Sequence, residues 1–502
     1  MSNKKRGETD MYEAIQIQIK QTHPLYEYCS DVTRFYNNMY NASLFRIRQV
    51  MTAVKKDKLT DNEIQVMQEV QQTVDASGGK YKMPTAKKWM LSYTFLDLLF
   101  KITDNPDYYC KGLQRQSAQN AIKDACNDFK SYFKALKSYK ANPKAFTGMP
   151  KLPHYKKSGG HATISFTNQG CICRDDINDS HYSSVRFPFT KQCIRIPHKD
   201  SRLKSVTIKP YHDIYIISFT FENSVSEQSE YKPAKRIAAI DFGVSNIAAI
   251  TNNIGMPCLL FKGGIVKSVN QYYNKRTAEI MSAQTKGTTN KFIPTPEYRH
   301  ITIHRNNFMS DYMHKLAKYI VNWCIENDID TLVLGENKQW KQNSDMDATN
   351  NQNFVQIPYD KLKFMLSYLC ERHSIRCIRQ EESYTSKASF LDNDFIYTYG
   401  VDDKDVSFSG HRIRRGLYKT GDGTIINADL NGSANIGRKA FPEAFCNGIM
   451  PDFNNVIIIR NPDIEAIEHN RQMQLQKYTG ISNAKRKRLT SKCNPYRIGL
   501  CG

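Results

Sequence analysis

The order of apolar strands and amphipathic helices in the second half of the chain restricts its fold most. Short apolar, β-branched runs alternate there with segments whose apolar residues recur at helical spacing. The predicted strands cover residues 237–242, 247–250, 258–261, 331–335 and 375–379, and the predicted helices cover 307–326 and 358–371. A three-stranded meander followed by helix, strand, helix and strand is an α/β order, so we predict an α/β domain.

Acidic residues stand at the ends of these predicted elements. Asp241 ends the first strand in AAIDFGVSN, and Glu336 follows the apolar strand TLVLG. Asp429, in NADLNGSANIGRK, lies at a predicted helix start, where the helix dipole and Asn427 can orient its carboxylate. A carboxylate beside a buried apolar run needs a compensating partner, and sites on α/β sheets gather at strand ends. We therefore predict that these acids form one site.

An oxygen-rich cluster of this kind suits a hard divalent cation, Mg²⁺ or alternatively Mn²⁺. Two such ions about 4 Å apart activate a water and stabilise the leaving oxygen of a phosphodiester. Each acid taken alone is more often a helix cap or a surface carboxylate. The segment DFGVSN also resembles the phosphate loop of actin-like ATPases and sugar kinases, but that fold needs a second Asp-Gly loop, which we do not find downstream.

Net charge limits the class of partner. The chain has 71 Lys and Arg residues against 49 Asp and Glu residues, a formal net charge of +22. Such an excess favours a polyanion, so nucleic acid is the leading partner class. A basic surface that keeps the chain soluble, or that binds anionic lipid, is the alternative.

The first part of the chain combines helices with a β region. Residues 12–20 alternate apolar and polar residues as a strand does, and helical spacing follows over 25–54, 62–74, 86–100 and 113–136. The helices form either a bundle with a solvated lysine face or a surface for nucleic acid. Short strand signals between 146 and 232 are typical of a small antiparallel barrel or sandwich, which we expect to include the strand at 12–20.

Cysteine usage and hydropathy indicate a cytoplasmic setting. The 13 cysteines are scattered singly, and no CxxC pair occurs, which favours reduced thiols over a zinc ribbon. No apolar run of about 18 residues is present, and the start MSNKKRG lacks the apolar segment of a secretory signal. The tail after Pro451, with a basic run at 484–492, is predicted to be mobile, and nucleic-acid binding is its functional alternative.

Six segments in this order resemble one protein family. IDFGVSN, LVLGEN and NADLNGSANIGRK are similar to the three RuvC motifs of the TnpB proteins and of the miniature type V CRISPR effector nucleases. FYNNMYNASLFRIRQ, FTGMPKLPHYKK and EESYTSKASFLD fit the same family. The resemblance therefore spans about residues 12 to 450.

The resemblance implies an RNA-guided DNA endonuclease. Its implied parts are an α/β RNase H-like (RuvC) nuclease domain, an oligonucleotide-binding β-barrel (wedge) domain and an α-helical recognition lobe. Asp241, Glu336 and Asp429 would be the catalytic carboxylates that bind Mg²⁺. Guide RNA would pair with target DNA, while the protein reads a short flanking motif. One subunit or two can serve one guide, and transposon and CRISPR origins are both open.

The implied domain layout follows the motifs. Residues 1–22 give the first wedge strand, 23–145 the recognition lobe, 146–232 the wedge barrel, 233–384 RuvC motifs I and II, 385–426 an inserted segment that binds target nucleic acid, 427–450 RuvC motif III and 451–502 the tail. This layout places all three nuclease motifs in the second half of the chain.

The inserted segment departs from the family, whose members often carry a zinc ribbon there. The TSK at residues 385–387 matches, but Ser389 and Asp392 stand where two cysteines would fall. We therefore predict that this chain binds no zinc. Basic residues of the same segment remain candidates for phosphate contact, namely His411, Arg412, Arg414 and Arg415.

Polar residues of the implied recognition lobe and its flanking loops are candidates for contact with guide RNA or with the DNA flanking motif. For each of them, a role in the core or on the solvated surface is the commoner alternative. The candidates are Asn38, Tyr40, Asn41, Arg46, Arg48, Lys87, Lys88, Lys151, Lys156 and Lys157.

The sequence is also compatible with two other functions. One is a guide-dependent DNA-binding protein with weak or no cleavage, acting as a repressor or homing module. Intact acids at all three motif positions argue against it. The other is a guide-independent transposase or integrase of the same fold, which would leave the long basic helical part without an evident partner.

Overall fold

A computed structural model describes residues 11–463, apart from 177–178, 180, 199–201, 224–230, 232, 288, 290, 337–355, 399–405 and 447–448. The chain divides into two compact units, residues 1–226 and 227–502. Within the described residues, no helix is both long enough and apolar enough to cross a membrane.

Helices of the first unit pack their apolar faces into one core. The described helices are α1 (Tyr26–Ala53), α2 (Asp61–Ala76), α3 (Tyr93–Ile102) and α4 (Arg115–Ala141). Thr60 and Glu63 form a capping box at the start of α2, which satisfies amide groups that the helix itself leaves unpaired. The shared core includes Leu44, Leu99 and Phe129.

The helix predicted over residues 86–100 begins later, at Tyr93. Thr85 and Lys88 close a turn through reciprocal backbone hydrogen bonds of 3.1 and 3.0 Å. Ser92 then accepts a hydrogen bond from Phe95 N (3.2 Å) and caps the helix. The turn and the cap therefore override the apolar periodicity, and they leave the lysines at 87 and 88 exposed ahead of α3.

A strand from the start of the first unit pairs with strands from its end. The described strands are β1 (Met11–Ile19), β2 (Ile164–Thr167), β3 (Ile172–Asp175), β4 (Ser183–Arg186), β5 (Cys193–Ile196), β6 (Leu203–Tyr211) and β7 (Ile214–Asn223). β1 lies antiparallel to β7 in a four-stranded sheet of order β1-β7-β6-β2, with Ile19 opposite Tyr215. β3, β4 and β5 form a second antiparallel sheet. The expected pairing of residues 12–20 with the later β region is thus confirmed.

The second unit is built on a mixed sheet. Its described strands are β8 (Ile237–Asp241), β9 (Asn246–Asn252), β10 (Pro257–Lys262), β11 (Thr331–Glu336), β12 (Arg376–Glu381), β13 (His411–Arg414), β14 (Leu417–Lys419), β15 (Ile425–Asn427) and β16 (Asp452–Ile459). The order of the six-stranded sheet is β12-β11-β8-β9-β10-β16, and its first three strands run parallel. Their carboxyl ends therefore lie side by side at one edge, where sites on such sheets form.

Helices cover both faces of this sheet. The described helices are α5 (Gly264–Thr285), α6 (Pro296–Glu326), α7 (Tyr359–Arg372), α8 (Ala428–Ala440) and α9 (Pro442–Cys446). On one face, Ile240 of β8 shares a core with Leu316 of α6 and Leu366 of α7. On the other face, Ala239 shares a core with Ile436 of α8. Because both faces of β8 are buried, its sequence is apolar throughout until Asp241.

Several elements lie where the sequence pattern predicted none, among them α5, β16 and the short strands β13, β14 and β15. α5 escaped prediction because two of its three buried residues are polar, namely Asn270 and Thr277 beside Val266. The prediction of a mobile tail after Pro451 is wrong for Asp452–Ile459, which forms β16 and pairs in parallel with β10. The short apolar run at 456–459 was the available signal. The basic run at 484–492 lies outside the described residues.

Candidate active site

Acidic side chains from separate elements line one open cavity at the carboxyl edge of the parallel strands. Asp241 ends β8, Asp429 lies in the first turn of α8, and Glu382 directly follows β12. The cavity has a volume of about 800 Å³. Asp241 and Asp429 were predicted to converge, and the structure brings them together.

Asp241 occupies a space that a neighbouring glycine keeps open. A Cβ added to Gly432 of α8 would lie 2.7 Å from Asp241 Oδ2, closer than non-bonded atoms pack. Burial raises the pKa of Asp241 well above its usual value, and the nearby carboxylates of Glu382 and Asp429 raise it further. Arg412 opposes these effects through its positive charge. An ionised Asp241 is therefore costly unless a cation approaches it.

Asp429 is oriented by two asparagines. Asn427 caps α8 by accepting hydrogen bonds from the backbone N–H groups of Asp429 (2.9 Å) and Leu430 (3.2 Å). Asn246, the first residue of β9, donates from Nδ2 to Asp429 Oδ2 (2.6 Å). The remaining oxygen, Oδ1, lies 3.5 Å from Arg412 Nη2. Asn246 was not singled out from the sequence, where an asparagine at a strand start carries no distinctive signal.

Glu382 supplies a carboxylate that the sequence reasoning missed. Its Oε2 is buried and has no hydrogen-bond partner among the described residues. A Cβ on Gly335 would lie 2.5 Å from this oxygen, so the glycine of LVLGEN makes room for it. Burial raises the pKa of Glu382 to about 7, and the charges of Glu381 and Glu336 add to the rise.

A buried lysine partly compensates this carboxylate. Lys363 of α7 is 6% exposed, and its Nζ donates to the backbone oxygen of Gly335 (2.6 Å). Its charge lowers the pKa of Glu382, against the larger effect of burial. Lys363 therefore ties α7 to the carboxyl end of β11 and places a positive charge near the acids.

Glu336 lies at the same edge but faces another partner. Its Oε1 accepts a hydrogen bond from Arg379 Nη1 of the neighbouring strand β12 (3.0 Å), in a partly exposed ion pair. The described residues that line the cavity include Glu382 and not Glu336. Glu382 lies in EESYTSK, which begins at the last residue of β12, and only the pairing of β12 with β11 brings it to this edge.

These carboxylates suit a hard divalent cation. Within the described part of the chain, no three His, Cys, Asp or Glu side chains are already arranged as a metal site. The orphaned oxygen of Glu382, the crowded Asp241 and the carboxylate chemistry of Asp429 nevertheless match the preference of Mg²⁺ and Mn²⁺ for oxygen ligands. Asp241, Glu382 and Asp429 are the residues that would hold such an ion.

Basic residues line the same cavity as the acids. Lys262, at the end of β10, and two of the predicted phosphate contacts, Arg412 and Arg415, line it. His411 and Arg414 are exposed on β13, outside the described cavity lining. Cations beside carboxylates in one cavity can bind a phosphodiester, because the cations attract the phosphate oxygens.

Aspartates cross-link the segment where the family often has a zinc ribbon. Asp394 accepts hydrogen bonds from the backbone N–H groups of Ser389 (2.7 Å) and Ser409 (3.1 Å), and also from the Ser409 hydroxyl. Asp392 accepts one from Gly421 N (2.6 Å). These carboxylates thus connect three parts of the segment without a metal.

An Asp394→Ala variant should loosen this segment, because it leaves backbone donors without an acceptor. We expect faster amide hydrogen exchange across residues 384–427, corresponding to a local loss of about 3 kcal/mol. Asp422→Ala is the matched control, since among the described residues Asp422 bonds within its own turn, to Thr420 and Thr424. Stoichiometric zinc in the wild-type protein, or unchanged exchange in Asp394→Ala, would contradict this account.

The structure gives internal partners to several residues predicted to contact nucleic acid. Tyr40 is buried and donates to Asp128 Oδ2 (2.6 Å), and Arg46 is buried in an ion pair with Glu69 (2.7 Å). Asn41 exchanges hydrogen bonds with the backbone of Lys156 (3.0 and 2.9 Å). These contacts hold α1 against α2, α4 and the loop before β2.

Other predicted contacts remain at least partly open to solvent. Asn38, Arg48 and Lys156 are half-buried; the Arg48 guanidinium lies 5.0 Å from the Tyr155 ring centre, and Lys156 Nζ lies 4.0 Å from the Tyr40 ring centre. The fully exposed lysines of the set are Lys87, Lys88, Lys151 and Lys157.

Comparison with known families supports the resemblance stated from sequence. Residues 219–341 match the OrfB_IS605 family, described as a probable transposase, and residues 359–436 match the TNB domain of Cas12f1-like proteins. The first matched segment contains β8 with Asp241, and the second contains the start of α8 with Asp429. Together the two matches cover less than half of the chain. The resemblance to TnpB and Cas12f-like proteins is confirmed over these two segments.

Several solved structures are similar at low sequence identity. One is a Cas12f1–sgRNA–target DNA complex, with a TM-score of 0.41, 12% identity and coverage of 81% of this chain and 82% of that one. Another is C2c1 of Alicyclobacillus acidoterrestris with single-guide RNA, with a TM-score of 0.40, 9% identity and coverage of 85% and 88%. A CRISPR-Cas12f ternary complex has a TM-score of 0.30, 13% identity and coverage of 81% of each chain. No curated protein sequence matches this chain.

Proposed function

We propose that this chain is an RNA-guided DNA endonuclease that hydrolyses phosphodiesters at the carboxyl edge of β8, β11 and β12. The observation that carries the proposal is the convergence of Asp241, Glu382 and Asp429 on one cavity that basic residues also line. The geometry favours Glu382 over Glu336 as the third carboxylate, because Glu382 Oε2 is orphaned while Glu336 is paired with Arg379.

The proposed chemistry divides between acids and cations. A divalent cation, when bound, would supply Lewis acidity at the phosphate and lower the pKa of an attacking water. Asp241 is the most central of the acids, since both Glu382 and Asp429 act on its pKa. Asn246 and Asn427 keep Asp429 turned into the cavity. Arg412 and Arg415 would bind the phosphate oxygens and offset their repulsion from the carboxylates.

Guide RNA and target DNA are the proposed partners of this site. The matched families and the excess of basic residues support this assignment. In the first unit, the exposed lysines at 87, 88, 151 and 157 are the best remaining candidates for phosphate contact. They would add affinity that depends on salt but not on sequence, while guide pairing would choose the target.

The function is tested by purifying the protein with its native locus, sequencing the RNA that accompanies it and offering a matching DNA with Mg²⁺. A discrete RNA and cleavage of the matching DNA support the proposal. Bound RNA without cleavage would replace it by the guided DNA-binding protein. Absence of any specific RNA would replace it by the guide-independent transposase.

Binding of Mg²⁺ should change the Tm of the protein, and this change can be measured without a cleavage assay. The pKa of Glu382 is raised by folding from 4.5 to about 7, so its contribution to stability is present below about pH 4.5 and is lost as pH rises through 7. The loss is on the order of 3 kcal/mol. We therefore expect the metal-free protein to have a lower Tm at pH 8 than at pH 6, and Mg²⁺ to raise Tm more at pH 8.

Glu382→Gln is the control for this measurement, because its amide cannot ionise. It should show a weaker pH dependence of Tm and a smaller shift with Mg²⁺ than the wild-type protein. Equal Mg²⁺ shifts in the two proteins at pH 8 would remove Glu382 from the metal-binding set.

A further inference from the structure

A cluster of aromatic side chains extends outward from the rim of the candidate active site. Phe395 packs edge to face on Tyr397, with ring centres 5.0 Å apart, and Tyr397 packs in the same way on Phe408 at 5.7 Å. Tyr384 contacts both inner rings, at 6.0 Å from Tyr397 and 6.1 Å from Phe408. The four rings therefore form one connected group.

The outermost ring is left in solvent. Phe395 is 67% exposed, whereas Tyr384, Tyr397 and Phe408 are half-buried. Its inner neighbours are held in place, since Lys439 Nζ donates to the backbone oxygen of Tyr397 (3.2 Å). The Tyr384 backbone, at a left-handed φ of 62°, accepts hydrogen bonds from two following amides. An exposed ring on a fixed support is pre-organised for stacking, because little freedom is lost on binding.

The cluster is continuous with the candidate active site and with positive charge. Tyr384 lines the same cavity as Asp241, Arg412 and Arg415. Lys387 Nζ lies 5.7 Å from the Tyr384 ring centre. A ligand that stacks on this cluster therefore has cations for its backbone phosphates beside it. Alternating aromatic faces and cations are the usual chemistry for binding single-stranded nucleic acid.

We propose that Phe395, supported from below by Tyr397, is a stacking platform for an unpaired base of the strand whose phosphate enters the candidate active site, an inference that rests on the proposed nuclease function. A base within a duplex has both faces covered by its neighbours, so it has no face to offer to the ring of Phe395. The platform would therefore select single-stranded DNA and fix how far the strand extends past the cut phosphate.

The test uses the full-length protein carrying Asp241→Asn, so that the substrate is not consumed, and a single-stranded oligonucleotide containing 2-aminopurine. Stacking quenches this base analogue. In the Phe395→Ala variant we expect the quenching to disappear and single-strand affinity to fall about tenfold, with duplex affinity unchanged. Phe395→Trp should retain both properties. Phe395→Leu, which is apolar but cannot stack, should behave like alanine.

Phe364→Ala is the matched control, because Phe364 is 69% exposed on α7 and lies outside the described cavity lining. The Phe364→Ala variant should quench 2-aminopurine and bind the single-stranded oligonucleotide as the parent Asp241→Asn protein does. The platform would be overturned if Phe395→Ala retained quenching. It would also be overturned if Phe395→Leu matched the parent in quenching and in single-strand affinity. A change in the number of subunits per particle on Phe395→Ala would overturn it as well, since the ring would then be a contact between copies.

This readout separates the platform from the nuclease. Both proposals are supported if Phe395→Ala abolishes quenching and the protein without Asp241→Asn cleaves DNA that matches the guide. If the protein without Asp241→Asn fails to cleave but Asp241→Asn still quenches 2-aminopurine, the nuclease proposal is overturned and the platform is not. If the protein without Asp241→Asn cleaves but Asp241→Asn does not quench 2-aminopurine, the platform is overturned and the nuclease proposal is not.

Discussion

An Asp241→Asn variant is expected to cleave DNA at least about 10³-fold more slowly than the wild-type protein. The amide keeps the size of the side chain but removes a charge that a divalent cation would require. Metal assistance supplies several kcal/mol of transition-state stabilisation, and each 1.36 kcal/mol corresponds to about a tenfold change in rate. Single-turnover cleavage of a labelled DNA under excess protein measures the effect.

The same variant should fold and bind as the parent does. Because burial and two neighbouring carboxylates raise the pKa of Asp241, removing its charge relieves repulsion and should not lower Tm. Guide RNA and target DNA affinity should change by less than about twofold, since the substitution leaves the basic residues of the cavity in place. A cleavage rate within tenfold of the wild type would remove Asp241 from the catalytic set.

Glu382 and Glu336 lie at the same edge of the sheet, and we expect their substitutions to slow cleavage to very different extents. Glu382→Gln should slow cleavage by about 10²-fold, because its orphaned oxygen is free to bind a cation. Glu336→Gln should slow it less than about tenfold, because Glu336 pairs with Arg379 in a partly exposed ion pair. The two substitutions make the same chemical change, so each serves as the control for the other.

The comparison is measured in single-turnover assays at several Mg²⁺ concentrations. If Glu382 binds the ion, Glu382→Gln should also need more Mg²⁺ to reach half of its maximal rate. The opposite ranking, with Glu336→Gln the slower enzyme, would return the third carboxylate to the position that the RuvC resemblance implies. Arg379→Ala would then be expected to alter cleavage as well.

Local sequence was enough to find Asp241 and Asp429, because each acid sits inside a motif whose neighbours define its own element. An apolar strand ending in Asp241 predicts a buried carboxylate, and Asn427 predicts the helix start at Asp429. Glu382 was out of reach. Its place depends on β12 lying next to β11 in parallel, and pairing between strands distant in sequence leaves no local pattern.

In the first unit, residue type alone could not distinguish side chains that contact nucleic acid from side chains that bind a partner inside the fold. Arg46 and Tyr40 carry the groups that bind phosphates and bases, but here the same groups satisfy Glu69 and Asp128 inside the fold. Both partners lie on other helices, so the sequence around Arg46 and Tyr40 contains no sign of them. Buried polar groups need such partners, and the distant acids provide them.

Exchanging the guide RNA tests whether it directs cleavage at the site formed by Asp241, Glu382 and Asp429. The segment of the accompanying RNA that pairs with DNA is replaced by an unrelated sequence, and the cleaved position is mapped in DNAs matching the old and the new guide. We predict that cleavage moves to the new match, requires Mg²⁺ and is lost in Asp241→Asn. Cleavage that stays at the old position, or that persists in Asp241→Asn, would contradict the account.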